Sequence, residues 1–222
     1  LTAASIEDKL TSDGSLNFGV EFGALGASGS LSVSLSVDDE VYFEQDVVLA
    51  SSPVLLTHHL QPFEHIYAMS TSSNRSFIQT FERVLGDRFT SYNARNYQQD
   101  VWLQDEYEFG LLHGESSEID VIVDSIRDRG IDGLAEDHWL DEDAWSVTKG
   151  SGMPNSQDSF GNLETSPPVT VDGVEYSHGR IYYGRWFNNR LNAQLRDFLS
   201  EQELQKPFEI DVSFLCVGHV DE

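Results

Sequence analysis

The stretch Trp102-Leu103-Gln104-Asp105-Glu106-Tyr107-Glu108-Phe109-Gly110 sets three carboxylates within four residues among aromatic and aliphatic neighbours. Any fold that accepts it must give those acids a cation, a metal ion or a set of donors. A half-buried carboxylate is costly without one, and strands disfavour Asp and Glu. In an extended segment side chains alternate, so Gln104, Glu106 and Glu108 share one face while Asp105 projects from the other with Leu103 and Tyr107. The shared face resembles a ligand set for a hard cation such as Ca2+, which prefers carboxylate, amide and carbonyl oxygens. Asp105, alone on its side, suits an organic cation. The plainer alternative is an acidic edge strand facing water, and the surrounding Trp102, Tyr107 and Phe109 weigh against it.

The rest of the composition agrees with cation binding. Thirteen Lys and Arg against 38 Asp and Glu give a formal charge of -25, which makes nucleic acid and anionic membrane poor partners. Such self-repulsion loosens a compact state unless counter-ions bind, so metal-assisted folding is an expectation, although a generic acidic surface accounts for most of the charge. The single cysteine, Cys216, cannot form an internal disulfide and reads as a small buried residue. Neither a secretory leader nor an apolar run long enough to cross a bilayer is evident. Asn74-Arg75-Ser76 is a glycosylation sequon, but one match is near chance.

Along the chain, residues 1 to 15 are polar and begin without Met, as at the edge of a fragment. Leu16, Phe18, Val20 and Phe22, then Leu31, Val33, Leu35 and Val37, alternate with polar or small residues, predicting two antiparallel strands of a sandwich-like element. The more continuous apolar run from Val47 through Leu56 suggests that a new domain starts near residue 50, with strands buried on both faces. Ile66 to Met69 reads as a strand. Phe77, Ile78, Phe81, Val84 and Leu85 fall at helical spacing, with Ser73 or Asn74 as N-cap and Gly86 as C-cap. Ile119, Val121 and Val123 alternate. Residues 132 to 165 have little periodicity and read as a long irregular loop, which in a compact domain is usually functional or disordered. Asp172-Gly173 signals a hairpin, Leu191 to Leu199 a helix, and Phe208 to Phe214 a strand running toward Gly218-His219-Val220-Asp221-Glu222. There His219 and Asp221 share a strand face. A histidine beside a carboxylate suits proton transfer near neutrality.

Four ordered motifs carry a resemblance to a known family. They are Trp102-x-Gln104-Asp105-Glu106-x-Glu108-x-Gly110, Asp124-Ser125-x-Arg127-x-Arg129-Gly130, the run from Asp158 to Val171, and Val217 to Glu222. Together they resemble the calcium-dependent protein-arginine deiminases. The resemblance implies an α/β fold in which residues 1-50 are the last strands of an immunoglobulin-like β-sandwich. Residues 51-222 would then be the first part of a five-bladed α/β propeller of the amidinotransferase type. It implies that Asp105 and Asp221 clamp a substrate guanidinium, that His219 assists proton transfer, and that Trp102 lies beside the arginine stem. Arg127 and Arg129 would approach the substrate backbone. One Ca2+ site would take Gln104, Glu108, Glu164 and the main-chain oxygens of Phe160 and Leu163; a second would take Glu106, Asp124, Ser125 and Asp128. Asp128 stands where vertebrate members usually have Asn, and Asp143 corresponds to a ligand of further sites.

The implied activity is Ca2+-dependent hydrolysis of peptidyl-arginine to peptidyl-citrulline and ammonia, with arginine-containing proteins as substrates. A homodimer and a cytoplasmic location are compatible with it, and secretion stays open. The family's nucleophilic cysteine lies beyond Glu222 and Cys216 does not match it, so the chain by itself is expected to be inactive. The alternative is a calcium-binding interaction module without catalysis. At Trp102 strict alternation and the resemblance conflict, so the strand must be irregular there or begin after Leu103.

Overall fold

In the computed structural model the described residues are 28-37, 40-113, 118-141 and 144-222, so the segment around Leu16 to Phe22 and Asp143 lie outside them. The chain divides between Ser51 and Ser52 into two compact units. In the first, β1 (Ser28–Val37) pairs antiparallel with β2 (Glu40–Ala50), with a register shift between Leu35 and Ser36. Leu31 faces Val47 and Leu35 faces Phe43, while the alternate positions of β1 are serines. The apolar run 47-49 therefore ends a strand of this unit and does not open the next one. The partner of β1 among the described residues is the segment that follows it.

The second unit is mixed α/β with several small sheets. β3 (Val54–Leu56), β6 (Tyr107–His113), β7 (Glu118–Asp124) and β8 (Ala144–Thr148) form one sheet in that order, antiparallel except for the parallel β7-β8 pair. β4 (Ile66–Ser70) and β5 (Phe89–Asn93) pair in parallel, joined by helix α1 (Arg75–Leu85). The side chain of Asn74, the residue before α1, is spent on the preceding turn, accepting from the Thr71 amide and donating to the Met69 carbonyl. Around β12 (Ile181–Trp186) gather β9 (Leu163–Thr165), β13 (Asn189–Arg190) and β14 (Phe208–Asp211). β10 (Val169–Val171) and β11 (Val174–Tyr176) make the hairpin that Asp172-Gly173 predicts, and both turn residues have positive φ, at 50° and 81°.

The alternation of β7 builds two cores. Val121 and Val123 pack with Phe160, Leu163, Ile181 and the apolar face of helix α4 (Ala193–Glu201). Ile122 points the other way, to Met69, Tyr107, Ile131 and Leu134. Only the Val121-Ile122-Val123 centre of β7 is buried on both faces, and only there does the sequence run apolar without alternating. The edge strand β3 is closed by two glutamines rather than another strand. Gln202 accepts from the Val54 amide at 2.9 Å, and Gln205 both accepts from the Leu56 amide and donates to its carbonyl. That satisfies main-chain groups which an open edge would expose.

Two expectations fail here. Residues 132 to 165 are not one irregular loop; they hold helix α3 (Leu134–His138), β8, two short 3-10 turns and β9. β14 ends at Asp211, so residues 212-222 form a loop, and His219 and Asp221 share no strand face. Among the described residues no helix is long and apolar enough to cross a membrane.

Candidate functional site

The acidic stretch is not extended throughout. Leu103–Glu106 form a single helical turn, α2, and β6 begins at Tyr107. A helical turn brings positions four apart together and sends neighbours about 100° apart. Gln104, on the turn, donates to Glu108 Oε2 on β6 at 2.9 Å, while Glu106, about 200° round the turn from Gln104, leaves in another direction and is fully buried. The expected common face of Gln104, Glu106 and Glu108 is thus corrected to two separate sets. Trp102 precedes the turn and is exposed, its amide held by Asp100.

One set surrounds Glu106. Both its carboxylate oxygens, and Oδ1 of Asp124, are buried with no hydrogen-bond partner. Glu106, Asp124 and Asp132 each offer an oxygen, and the three oxygens lie within 4.8 Å of one another. Burial, reinforced by the charge of Asp124, pushes the Glu106 carboxyl up to about 8, and burial pushes Asp124 up to about 7. Orphaned buried acids gathered this closely are the environment that a hard divalent cation relieves, and oxygen donors are its preferred ligands. Asp128, exposed and at a left-handed φ of 46° that Asp tolerates, sits close enough for its charge to raise Asp124 and Asp132. The Ser125 hydroxyl donates to the Asp158 carbonyl at 2.7 Å and accepts from the Arg127 amide, which leaves it one lone pair.

The other set joins Glu108 to Glu164, both nearly buried. Burial first and the Glu164 charge second hold the Glu108 carboxyl well above the usual range. Glu164 is raised by burial too, against the opposing pull of His59, whose Nε2 lies 2.7 and 2.8 Å from its two oxygens. Phe160 and Leu163, whose main-chain oxygens belong to the expected set, are fully buried on the same 156-165 segment. That segment is shaped by two side chains. Asp158 accepts from the amides of Asn155 and Asn192, and Asn162 brackets Gly184 by accepting from its amide and donating to its carbonyl.

Gly161 is where the substrate-binding candidates meet. A Cβ there would stand 2.7 Å from Asp221 Oδ2 and 3.1 Å from Asp105 Oδ1, so those oxygens are at most 5.8 Å apart, the sum of the two distances. The Asp221 amide also donates to the Gly161 carbonyl. His219 is buried, and its Nε2 lies 2.9 Å from the Ser156 carbonyl oxygen. A carbonyl only accepts, so Nε2 carries the proton and Nδ1 is the exchanging nitrogen; it lies 4.0 Å from Asp105 Oδ1. Burial raises Asp221, His219 opposes that, and Asp105 adds to it. The loop carrying His219 and Asp221 is drawn together by Glu222, whose carboxylate accepts from the amides of Cys216, Val217 and Gly218.

The two arginines are half-buried and bonded to groups of the protein itself. Arg129 forms a two-pronged pair with Asp100 at 3.0 Å and reaches Asp105 Oδ2 at 3.0 Å. Arg127 donates to the Ser159 hydroxyl. Cys216 is exposed, which corrects its expected burial: it falls in the loop after β14, where no strand turns it inward. Asp100, Asp132 and His59 were missed. In a chain with 38 acids, a lone Asp outside a dense motif carries no local signal.

Residues 41–222 match the family model described as protein-arginine deiminase. The chain is 35% identical over 199 residues to human protein-arginine deiminase type-4, which covers 85% of this chain and 30% of that protein. It is also 35% identical over 210 residues to the human type-1 protein, covering 87% and 32%, and 32% identical over 223 residues to the rat type-3 protein, covering 92% and 33%. It thus spans about a third of the length of these relatives. With the match extending over most of its residues, the chain belongs to the protein-arginine deiminase family.

Proposed function

We propose that this chain is the guanidinium-holding and cation-binding part of a Ca2+-dependent enzyme that converts peptidyl-arginine to peptidyl-citrulline. The observation that carries this reading is the convergence of Asp105 and Asp221 at Gly161, with His219 Nδ1 beside Asp105. Two carboxylates facing one gap accept the paired N–H groups of a planar guanidinium, and charge assistance roughly doubles the strength of such bonds. Held there, the guanidinium carbon is attacked by a thiolate from a segment outside this chain, since Cys216 does not match the family's nucleophilic cysteine. The C–N bond breaks, His219 delivers a proton to the departing ammonia, and water then hydrolyses the adduct to citrulline and regenerates the thiolate.

Glu106, Asp124 and Ser125 with Asp128, and Gln104, Glu108 and Glu164 with the Phe160 and Leu163 carbonyls, are the residues that would hold Ca2+. Bound there, the ion supplies charge neutralisation that lets these acids stay ionised and fixed. The orphaned oxygens of Glu106 and Asp124 support that assignment. In the complete protein the five-bladed propeller and the preceding immunoglobulin-like domain form the scaffold, arginine-containing proteins are the substrates, and the cytoplasm is the compartment.

The test is arginine-peptide affinity and citrulline release by the complete protein at saturating Ca2+. Asp105→Asn and Asp221→Asn should each keep the fold and Ca2+ response yet lose charge-assisted bonds of about 1.5 to 3 kcal/mol, and so most of the turnover. His219→Gln should retain peptide binding while slowing the chemistry. Near-normal turnover in either Asp variant would sink the clamp.

A further inference from the structure

Asp132 lies outside every motif that pointed to cation binding, yet its carboxylate joins those of Glu106 and Asp124 within 4.8 Å. Its position is built. Ile131 is fully buried, the Tyr107 hydroxyl lies 2.6 Å from the carbonyl oxygens of both Ile131 and Asp132, and the Asp132 amide donates to the Arg129 carbonyl. The backbone is thus pinned by a buried aromatic residue of β6, while the side chain makes no hydrogen bond or ion pair among the described residues. What surrounds that carboxylate is acidic: Glu106 and Asp124 within 4.8 Å, and Asp128 and Glu136 close enough to act on it by charge. Arg129 is committed to Asp100 and Asp105 and approaches Glu106 only to 3.9 Å.

Like charges gathered this closely repel unless a cation sits among them. Exposed acids gather on many surfaces for no purpose, but here Glu106 is fully buried, both its oxygens lack a hydrogen-bond partner, and one of them belongs to the group. We infer that Asp132 is a further carboxylate ligand of the divalent cation held by Glu106 and Asp124. The inference rests on reading that pair as a cation site, and it adds a ligand from a third segment. Ca2+ takes six to eight oxygens, and its affinity follows the charge and rigidity of the set. The three segments are the α2 turn, the end of β7, and the loop after Arg129. Two of them carry Asp105 and its partner Arg129, so the ion is fastened beside the guanidinium clamp.

The experiment is calorimetric titration of the protein with CaCl2, alongside melting curves with and without it, for the unsubstituted protein and for Asp132→Asn, Asp132→Ala, Glu106→Gln and Glu136→Gln. Asp132→Asn and Asp132→Ala should weaken one class of Ca2+ site by about tenfold or more, since Asn removes the charge and Ala removes the ligand oxygen as well. Their melting temperature without Ca2+ should hold or rise, because a repelling charge is gone. Glu136→Gln removes the same charge nearby without removing a ligand and should change affinity less than about threefold. Unchanged affinity in both Asp132 variants, while Glu106→Gln loses the site, would overturn the role of Asp132 and leave the cation site standing. Equal weakening by Glu136→Gln would reduce Asp132 to background charge and also overturn it. Absence of Ca2+ binding in the unsubstituted protein would remove the site and the inference together.

Discussion

At Gly161 a single missing carbon keeps two carboxylates in reach of one ligand. A methyl group there would meet Asp221 Oδ2 at 2.7 Å and Asp105 Oδ1 at 3.1 Å, both ends of side chains that can swing aside. Gly161→Ala should therefore fold, with a melting temperature within a few degrees of the parent, while tilting the clamp. A misplacement of about 1 Å costs on the order of a hundredfold in rate. Citrulline release by the complete protein with Gly161→Ala checks this, and a rate within a few-fold of the parent would show that the two carboxylates do not act as a pair. Asp105, Asp221 and His219 were picked out by their motifs, and the structure brings them close together. The reason for Gly161, inside another motif, was not, because it depends on the approach of two acids separated by more than a hundred residues. Asp100, which takes two prongs of Arg129, was invisible for the same reason: its meaning lies in its partner.

The elements were read well where their period was long. α1, α4, β7 and the β10-β11 hairpin lie where spacing and turn residues put them. The short α2 turn was misread because Gln104, Glu106 and Glu108 fit a period of two while Gln104 and Glu108 fit helical spacing equally well, and four residues cannot decide. Tertiary contacts decide instead. Glu106 turns in toward Asp124, and Tyr107 enters the core to reach the carbonyls of the 131-132 segment. Tyr107→Phe keeps the ring and deletes the hydroxyl, so it should leave those carbonyls short of a donor and destabilise the protein by about 1 to 3 kcal/mol. Denaturant unfolding at constant slope measures it. If Asp132 is placed by this anchor, Ca2+ affinity should fall in the same variant; stability lost with affinity unchanged would mean the loop holds its place without Tyr107.

Over the whole molecule, a formal charge of -25 and buried acids held above their ordinary values make stability depend on pH and on cations together. Glu106 moves from an ordinary 4.5 to about 8, and Asp124 from 3.8 to about 7, so without a cation the folded chain keeps protons that the unfolded chain releases. Stability from these groups is whole below about pH 4 and falls as pH rises toward 8. With Ca2+ in excess that decline should flatten, and binding at pH 7 should release protons. Titrations in two buffers of different ionisation heat would reveal the release, and heats independent of buffer would contradict it. The same geometry sets an order of assembly. Glu106, Asp124 and Asp132 fall within 27 residues, whereas Asp105 waits for Asp221. On a ribosome adding about 5 to 20 residues per second, the cation ligands emerge roughly 4 to 18 s before the clamp can close. A nascent chain thus meets its counter-ion while the substrate gap is still half-built.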